Sequence, residues 1–107
     1  MFSSIDRAAC AKLGLPAPKR YQTQPSYVIY CLSRGHEINT RISRYIGIAN
    51  LNSVRPVLTK KKIPFTKTQE AVWDPKENRI DPKKVIVLRM STEQREEYWA
   101  NKKPAKA

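Results

Sequence analysis

Polar and basic side chains recur along a predicted helix that begins at Asn52 or Ser53 and ends near residue 61. Val54, Val57 and Leu58 form its apolar stripe at helical spacing. The outward side carries Asn52, Arg55, Pro56, Thr59 and Lys60. A guanidinium presents several N–H donors in a fixed fork, and a primary amide pairs a donor with an acceptor. These groups can recognise the edges of planar acceptors, so the chemistry indicated is binding through hydrogen bonds.

The charge of the chain predicts a polyanionic partner. The net charge is +12, and the isoelectric point is near 10.1. From Arg7 to Lys67 there are twelve lysines or arginines and one acid, Glu37. Such an excess favours nucleic acid or, less specifically, an anionic membrane surface.

Several functional classes find no support in the residue pattern. No apolar run approaches the roughly 20 residues that span a bilayer, and residues 1–15 do not form a secretory signal. Cys10 and Cys31 lack the spacing of a zinc site, and free thiols indicate a reducing cytoplasm, although a single disulfide stays open. A single histidine, His36, and the lack of a phosphate-binding glycine loop argue against an enzyme. We expect no cofactor, no metal and no membrane partner.

The N-terminal part is expected to be an arm. Ser4 can cap a short helix over residues 5–13, and Gly14 would end it. The segment 15–20 contains two prolines and predicts a stiff extended connector. Residues 1–20 therefore form the arm, 21–100 the folded domain and 101–107 a basic tail, and residues before about Gln24 should be dispensable for folding.

The domain is expected to be α+β and mainly α. Pro25 suits the first turn of a helix that ends before Gly35, and Asn39 or Thr40 caps a helix that Gly47 ends. Ile42, Ile46, Val54 and Leu58, joined by Leu32 and an aliphatic residue of a later hairpin, should form the core. Pro56 is placed in the first turn of its helix, where it removes little hydrogen bonding.

A hairpin and a last helix complete the prediction. Residues 65–73 and 85–90 read as strands, and the turn-forming segment between them makes a long tip. Ser91 and Gln94 form a capping box for a helix through about Ala100. Trp73 and Trp99 are expected to be anchors of the core or of an interface.

The run INTRISRYIGI followed by LNSVRPVLTKKKI, within residues 38–63, resembles the winged helix-turn-helix regulators of bacteria and their phages. The order helix, helix, turn, helix, hairpin fits that family, and the likeness covers roughly residues 24–90. It implies a winged helix-turn-helix fold, with three core helices, a β-hairpin wing and extra helices at both ends. Lys60, Lys61 and Lys62 depart from the acid and leucine that usually close the third helix of the family.

The resemblance implies a mechanism for binding double-stranded DNA. Arg55 would contact guanine and Asn52 adenine in the major groove, while Ser53 and Thr59 would contact phosphates or bases. Basic side chains would neutralise phosphates and set the salt dependence. These are Arg41, Arg44, Lys60, Lys61, Lys62 and Lys67, with Arg79, Lys83 and Lys84 on the wing.

Other interpretations remain open at this point. The lysine run can be a solvated face, and the whole chain can be a winged-helix module that binds a protein of the transcription or replication machinery. An RNA-binding protein is a third possibility. A homodimer, and the roles of repressor, activator or architectural factor, are equally compatible with the sequence.

Overall fold

The described part of the chain contains five helices and a small antiparallel sheet. A computed structural model describes residues 5–19, 22–48 and 50–102. The helices are α1 (Arg7–Lys12), α2 (Gln24–Ser33), α3 (Thr40–Tyr45), α4 (Leu51–Lys60) and α5 (Thr92–Lys102). The order and approximate bounds agree with the sequence prediction.

Short polar side chains begin four of these helices. The side chains of Asp6, Thr23 and Asn39 each accept a hydrogen bond from a backbone N–H in the first turn. At α5, the hydroxyl of Ser91 accepts from the backbone of Gln94, whose side chain accepts in return from the backbone N–H of Ser91. The predicted capping box is therefore confirmed. The cap of α1 is Asp6, while Ser4 lies outside the described residues.

The first four helices end in one hydrogen-bonding pattern. In α4, the N–H of Ile63 donates to the carbonyl of Leu58 at 3.0 Å, and the N–H of Lys62 donates to Thr59 at 3.0 Å. This pattern requires a left-handed residue just after the helix, the position that glycine favours. Gly14, Gly35 and Gly47 occupy it in α1, α2 and α3, with φ of 73°, 89° and 102°. In α4 the residue is Lys62, with φ of 59°.

The position of Pro56 differs from the prediction. Helix α4 begins at Leu51, so Pro56 is the sixth helical residue and lies beyond the first turn. Proline has no N–H, and it therefore leaves the carbonyl of Asn52 without its usual intrahelical donor. The predicted start at Asn52 or Ser53 is one or two residues too late, because the buried Leu51 is already part of the first turn.

The sheet connects the hairpin to the helical part. Strand β1 (Ile38–Asn39) pairs antiparallel with β5 (Val85–Arg89), which also pairs antiparallel with β2 (Thr66–Glu70). The strand order is β1-β5-β2. At the tip, β3 (Trp73–Asp74) and β4 (Arg79–Ile80) form a separate two-stranded ribbon. The long hairpin was predicted, whereas the pairing of Ile38 with Leu88 was not.

The core lies between α2, α3, α4 and the sheet. Leu32, Ile46, Leu58 and Leu88 are fully buried, and Val54 is nearly so. Ile42 is half-buried and packs against the same cluster. The predicted core is thus confirmed, with Leu88 as the aliphatic residue from the hairpin.

The N-terminal segment shares this core, which corrects its separation as an arm. Ile5, Ala9 and Cys10 are buried in the main cluster. The N–H of Asp6 donates to the carbonyl of Ile46 at 2.8 Å, and the hydroxyl of Tyr27 donates to the carbonyl of Pro16 at 2.6 Å. One face of α1 is apolar enough to bury, and the proline segment brings that face back onto α2.

An ion-pair network crosses the sheet. The Arg89 guanidinium donates to Glu37 at 2.7 Å and to Glu70 at 2.8 Å. Thr68 also donates to Glu70 at 2.6 Å. These hydrogen bonds, the one from Arg89 first, lower the pKa of Glu70 from 4.5 to about 2.

We expect Ile5→Ala to destabilise the protein by about 2–5 kcal/mol, because the truncation leaves a cavity in the shared core. Leu58→Ala, at the centre of the core, should cost a similar amount. Chemical denaturation would measure both, with Lys12→Gln on the exposed side of α1 as a control that changes stability by less than about 0.5 kcal/mol. If the Ile5→Ala protein is as stable as its parent, the prediction that the residues before about Gln24 are dispensable for folding stands.

The second prediction concerns the stability of the protein at acid pH. Because the pKa of Glu70 is lower in the folded protein, its contribution to stability is present above about pH 4.5 and is lost as the pH falls towards 2. Melting temperatures between pH 6 and 2 should fall less steeply for Glu70→Gln, which cannot titrate, than for the parent. Melting temperatures that fall equally with pH in the two proteins would show that the ionisation of Glu70 does not contribute to stability.

Candidate functional site

Helix α4 exposes a continuous polar side. Leu51, Val54 and Leu58 are buried, which turns the opposite side to solvent. The exposed residues are Asn52, Ser53, Pro56, Thr59 and Lys60. The stripe predicted to face outward is therefore accessible, and it contains no acidic side chain.

Arg55 lies at the border of this exposed side. Its side chain is half-buried, and its Nε is buried without a hydrogen-bond partner in the described structure. Within the described ranges it forms no salt bridge, since the ion pairs found there involve only Arg41 and Arg89. The buried Nε is thus enclosed by the protein, and no carboxylate lies within ion-pair distance of the guanidinium in the described structure.

The ionic partners of Arg41 differ from the prediction, in which its charge neutralises a phosphate. Its guanidinium lies 3.2 Å from the carboxylate of Asp81 and 4.0 Å from that of Asp74. Both acids belong to the hairpin tip, so this pair ties α3 to the tip. The pKa of Asp81 is lowered, first by the hydrogen bond from the backbone N–H of Lys83 and then by Arg41 and nearby cations.

The hairpin tip exposes both cations and apolar surface. Arg79, Lys83 and Lys84 are exposed, as predicted for a basic wing. Trp73 and Ile80 are cross-strand partners and are 42% and 64% exposed. Trp73 is therefore no core residue, and the tip presents an apolar pair beside its positive charges.

The remaining predicted cations are exposed on separate elements. Arg44 lies in the last turn of α3, and Lys67 lies on β2. Both side chains are accessible to a bulky partner such as a duplex. They fit a supporting electrostatic role, which depends on charge and requires no defined geometry.

The three consecutive lysines divide between two surfaces. Lys60 belongs to the exposed side of α4. Lys61 and Lys62 follow the helix end and line a cleft of about 580 Å³ between α2, α5 and residues 61–64. Lys19 and Arg34 line the same cleft, and no acid is found among its lining residues in the described part of the chain.

Aromatic rings form much of the wall of this cleft. The Arg34 guanidinium carbon lies 3.8 Å from the ring centre of Tyr30 and 5.6 Å from that of Trp99. The Lys19 ammonium lies 5.2 Å from the Tyr30 ring. Trp99 is 40% exposed, so it is not an anchor of the core, and the alternative of an interface anchor stays a prediction. Its Nε1–H donates to the carbonyl of Ser33 at 2.9 Å, which fixes the ring.

The two cysteines are buried. Both are free thiols, and the hydroxyl of Tyr27 lies 3.2 Å from the sulfur of Cys10. Burial raises the pKa of the Cys31 thiol to about 12 and also raises the pKa of Cys10. Neither group has the lowered pKa that a reactive cysteine requires.

The described residues form neither a metal site nor a membrane-spanning helix. Across residues 5–19, 22–48 and 50–102, no three histidine, cysteine or acidic side chains are arranged to hold a metal ion. None of the helices in these ranges has the length and apolar character needed to cross a membrane.

The sequence pattern did not single out the cleft residues Lys19, Tyr30 and Arg34. Arg34, the C-cap of α2, follows Tyr30 by four residues, and this spacing could have suggested their contact. The approach of Trp99 depends on the packing of α5 against α2, which no local pattern specifies.

Similarity to known proteins assigns no function to these surfaces. Comparisons with protein-family models, with curated proteins and with solved structures find no match to this chain. A function therefore has to be inferred from its own side chains.

Proposed function

We propose that the protein binds double-stranded DNA as a small winged helix-turn-helix protein. Helix α4 enters the major groove with its exposed side, and the hairpin tip contacts flanking DNA. Such a protein acts as a transcriptional regulator or an architectural factor.

The observation that carries the proposal is the composition of the exposed side of α4. A side chain that reads DNA must be accessible and able to donate or accept hydrogen bonds, and acids must be kept away from the phosphates. Asn52, Ser53, Thr59 and Lys60 meet these conditions, and Arg55 borders them without an acidic partner.

The arrangement of elements supports the same function. Helices α3 and α4 are joined by a short turn at Gly47, and the fully buried Ile48 holds this turn against the core. The hairpin follows α4 directly, and β1 pairs with its returning strand. This order agrees with the family resemblance of residues 24–90.

The hairpin tip would act as the wing. Arg79, Lys83 and Lys84 can neutralise phosphates on either side of the groove that α4 occupies. The ion pair between Arg41 and Asp81 assigns Arg41 the task of holding the tip in place. Among the predicted phosphate contacts outside the hairpin tip, we therefore retain Arg44, Lys60 and Lys67. Arg41 is no longer proposed to contact a phosphate.

A second candidate function is a protein-interaction module of the transcription or replication machinery. The exposed pair Trp73 and Ile80 favours it, because large apolar side chains at a surface often mark protein contacts. The same pair can also pack against a DNA groove, where apolar wedges are known. Replacing both residues with serine tests the role of the pair. Weaker DNA binding would indicate that the pair packs against a groove, whereas unaltered DNA binding would leave it available to a protein partner.

The DNA proposal predicts different effects for two cations. Arg55→Ala should relax base preference at one position and weaken the preferred site by about 1–3 kcal/mol, because a guanidinium fork fits one base edge. Lys60→Gln should weaken binding to all duplexes alike and reduce the salt slope by about one unit, because it removes one phosphate contact. A selection from random duplexes would first define the site, and competitive binding across a salt series would then compare the variants.

Lys12→Gln provides the matched control, since it removes one lysine charge from α1 and leaves α4 intact. It should change the affinity less than Lys60→Gln does. Duplex binding that is equal for the parent, Arg55→Ala and Lys60→Gln would remove α4 from the interface. The protein-interaction function would then take its place.

A further inference from the structure

We propose that the cleft between α2, α5 and residues 61–64 binds one nucleotide unit, either a free nucleotide or an unpaired nucleotide of a strand. The phosphate would lie among Lys19, Arg34, Lys61 and Lys62, and the base would stack on Trp99. This site is distinct from the exposed side of α4 and does not depend on duplex binding.

The charge of the cleft points to an anion. Its four lysine and arginine side chains lie around one concavity, and none of them forms a salt bridge within the described chain. Like charges gathered in a concave site repel each other and attract a counter-ion. Arg34 stacks on Tyr30 and still presents guanidinium N–H groups at its edge, which suits the planar recognition of phosphate oxygens.

The aromatic wall points to a ligand with a flat ring. Trp99 is held by its hydrogen bond to Ser33 and by an edge-to-face contact with Tyr98, with ring centres 5.2 Å apart. Because its N–H is already bonded, its exposed ring surface is left for stacking. A fixed aromatic face beside basic side chains is the combination that binds bases together with their phosphates.

The backbone of Lys62 adds an independent observation. Lys62 has φ of 59° at the end of α4, where the three preceding helices have glycine. A side chain at such a position destabilises the turn relative to glycine, and residues of this kind are frequent at binding sites. The lysine side chain is therefore present at some cost to the fold, and it lines the cleft.

The size of the cleft is compatible with this ligand. Its volume of about 580 Å³ falls within the range of roughly 300–1,000 Å³ that is usual for small-molecule sites. Inorganic phosphate alone would leave the aromatic wall unused, and an uncharged aromatic ring would leave four cations without a counter-charge. A nucleotide satisfies both parts.

The first experiment compares ligands on the intact protein. Deoxyadenosine 5′-monophosphate, deoxyadenosine, inorganic phosphate and a short oligodeoxyadenylate are titrated by calorimetry and by NMR of the two tryptophan indole N–H signals. The nucleotide should bind more tightly than the nucleoside or phosphate and should shift the Trp99 signal, with Trp73 little affected. Binding of the oligonucleotide alone would identify the occupant as an unpaired nucleotide within a strand.

The second experiment separates binding from stability. Lys62→Gly should raise the melting temperature by a few degrees, because glycine adopts a positive φ without strain, and yet weaken nucleotide binding. Asn78→Gly is the matched control: Asn78 has φ of 55° in the hairpin tip, outside the cleft, so its replacement should stabilise the protein and leave nucleotide affinity unchanged. Trp99→Ala should weaken binding by roughly 5- to 150-fold, the loss of one base–aromatic stack, and Trp99→Phe should restore part of it.

Three results would overturn the proposal. They are the absence of binding by both nucleotide and oligonucleotide, phosphate binding as tight as nucleotide binding, and nucleotide affinities that Lys62→Gly and Trp99→Ala leave unchanged. Trp99→Ala should bind duplex DNA like the parent, because Trp99 lies outside the α4 surface. Failure of the nucleotide site and failure of the proposed DNA function are therefore measured separately.

Discussion

The ends of the helices are the constraint on which the rest of the structure depends. Each of the first four helices stops at a residue with positive φ, and the reversal there aims the next segment back at the core. At Gly47 this reversal starts the turn between α3 and α4, and it places the buried Ile48 beneath that turn. At Lys62 it directs the chain from α4 into the hairpin. A different end to any of these helices would move every surface that follows it.

Ion pairs then hold the hairpin against the helices. Arg89 connects the loop before β1 with β2, and Arg41 connects α3 with the tip. These two arginines contribute positive charge to the composition, but acidic neighbours balance much of it. The count of 21 lysines and arginines therefore overstates the positive charge that a partner would meet at these two places.

The end of α4 also divides the lysine run between the two proposed sites. Lys60 remains on the helix beside Thr59, whereas the left-handed turn brings Lys62 towards Arg34 and Trp99. Adjacent residues can thus serve a duplex and a single nucleotide separately. Under both proposals the lysines neutralise phosphate, and this shared role would account for the continuous run of basic residues although the two sites are distinct.

The sequence by itself determined the local features: the caps at Asn39 and Ser91, the helix ends at the glycines, and the apolar stripe of α4. Each of these depends on residues within a few positions of one another, so composition and spacing suffice to predict them. Only the tertiary structure decided that α1 enters the core, that Arg41 pairs with Asp81, and that Trp99 reaches Ser33. The contacts of Arg41 with Asp81 and of Trp99 with Ser33 join residues forty or more positions apart. Helix α1 likewise packs against residues that are distant in the sequence. Such pairings follow from how whole faces pack and carry no signal in the local pattern.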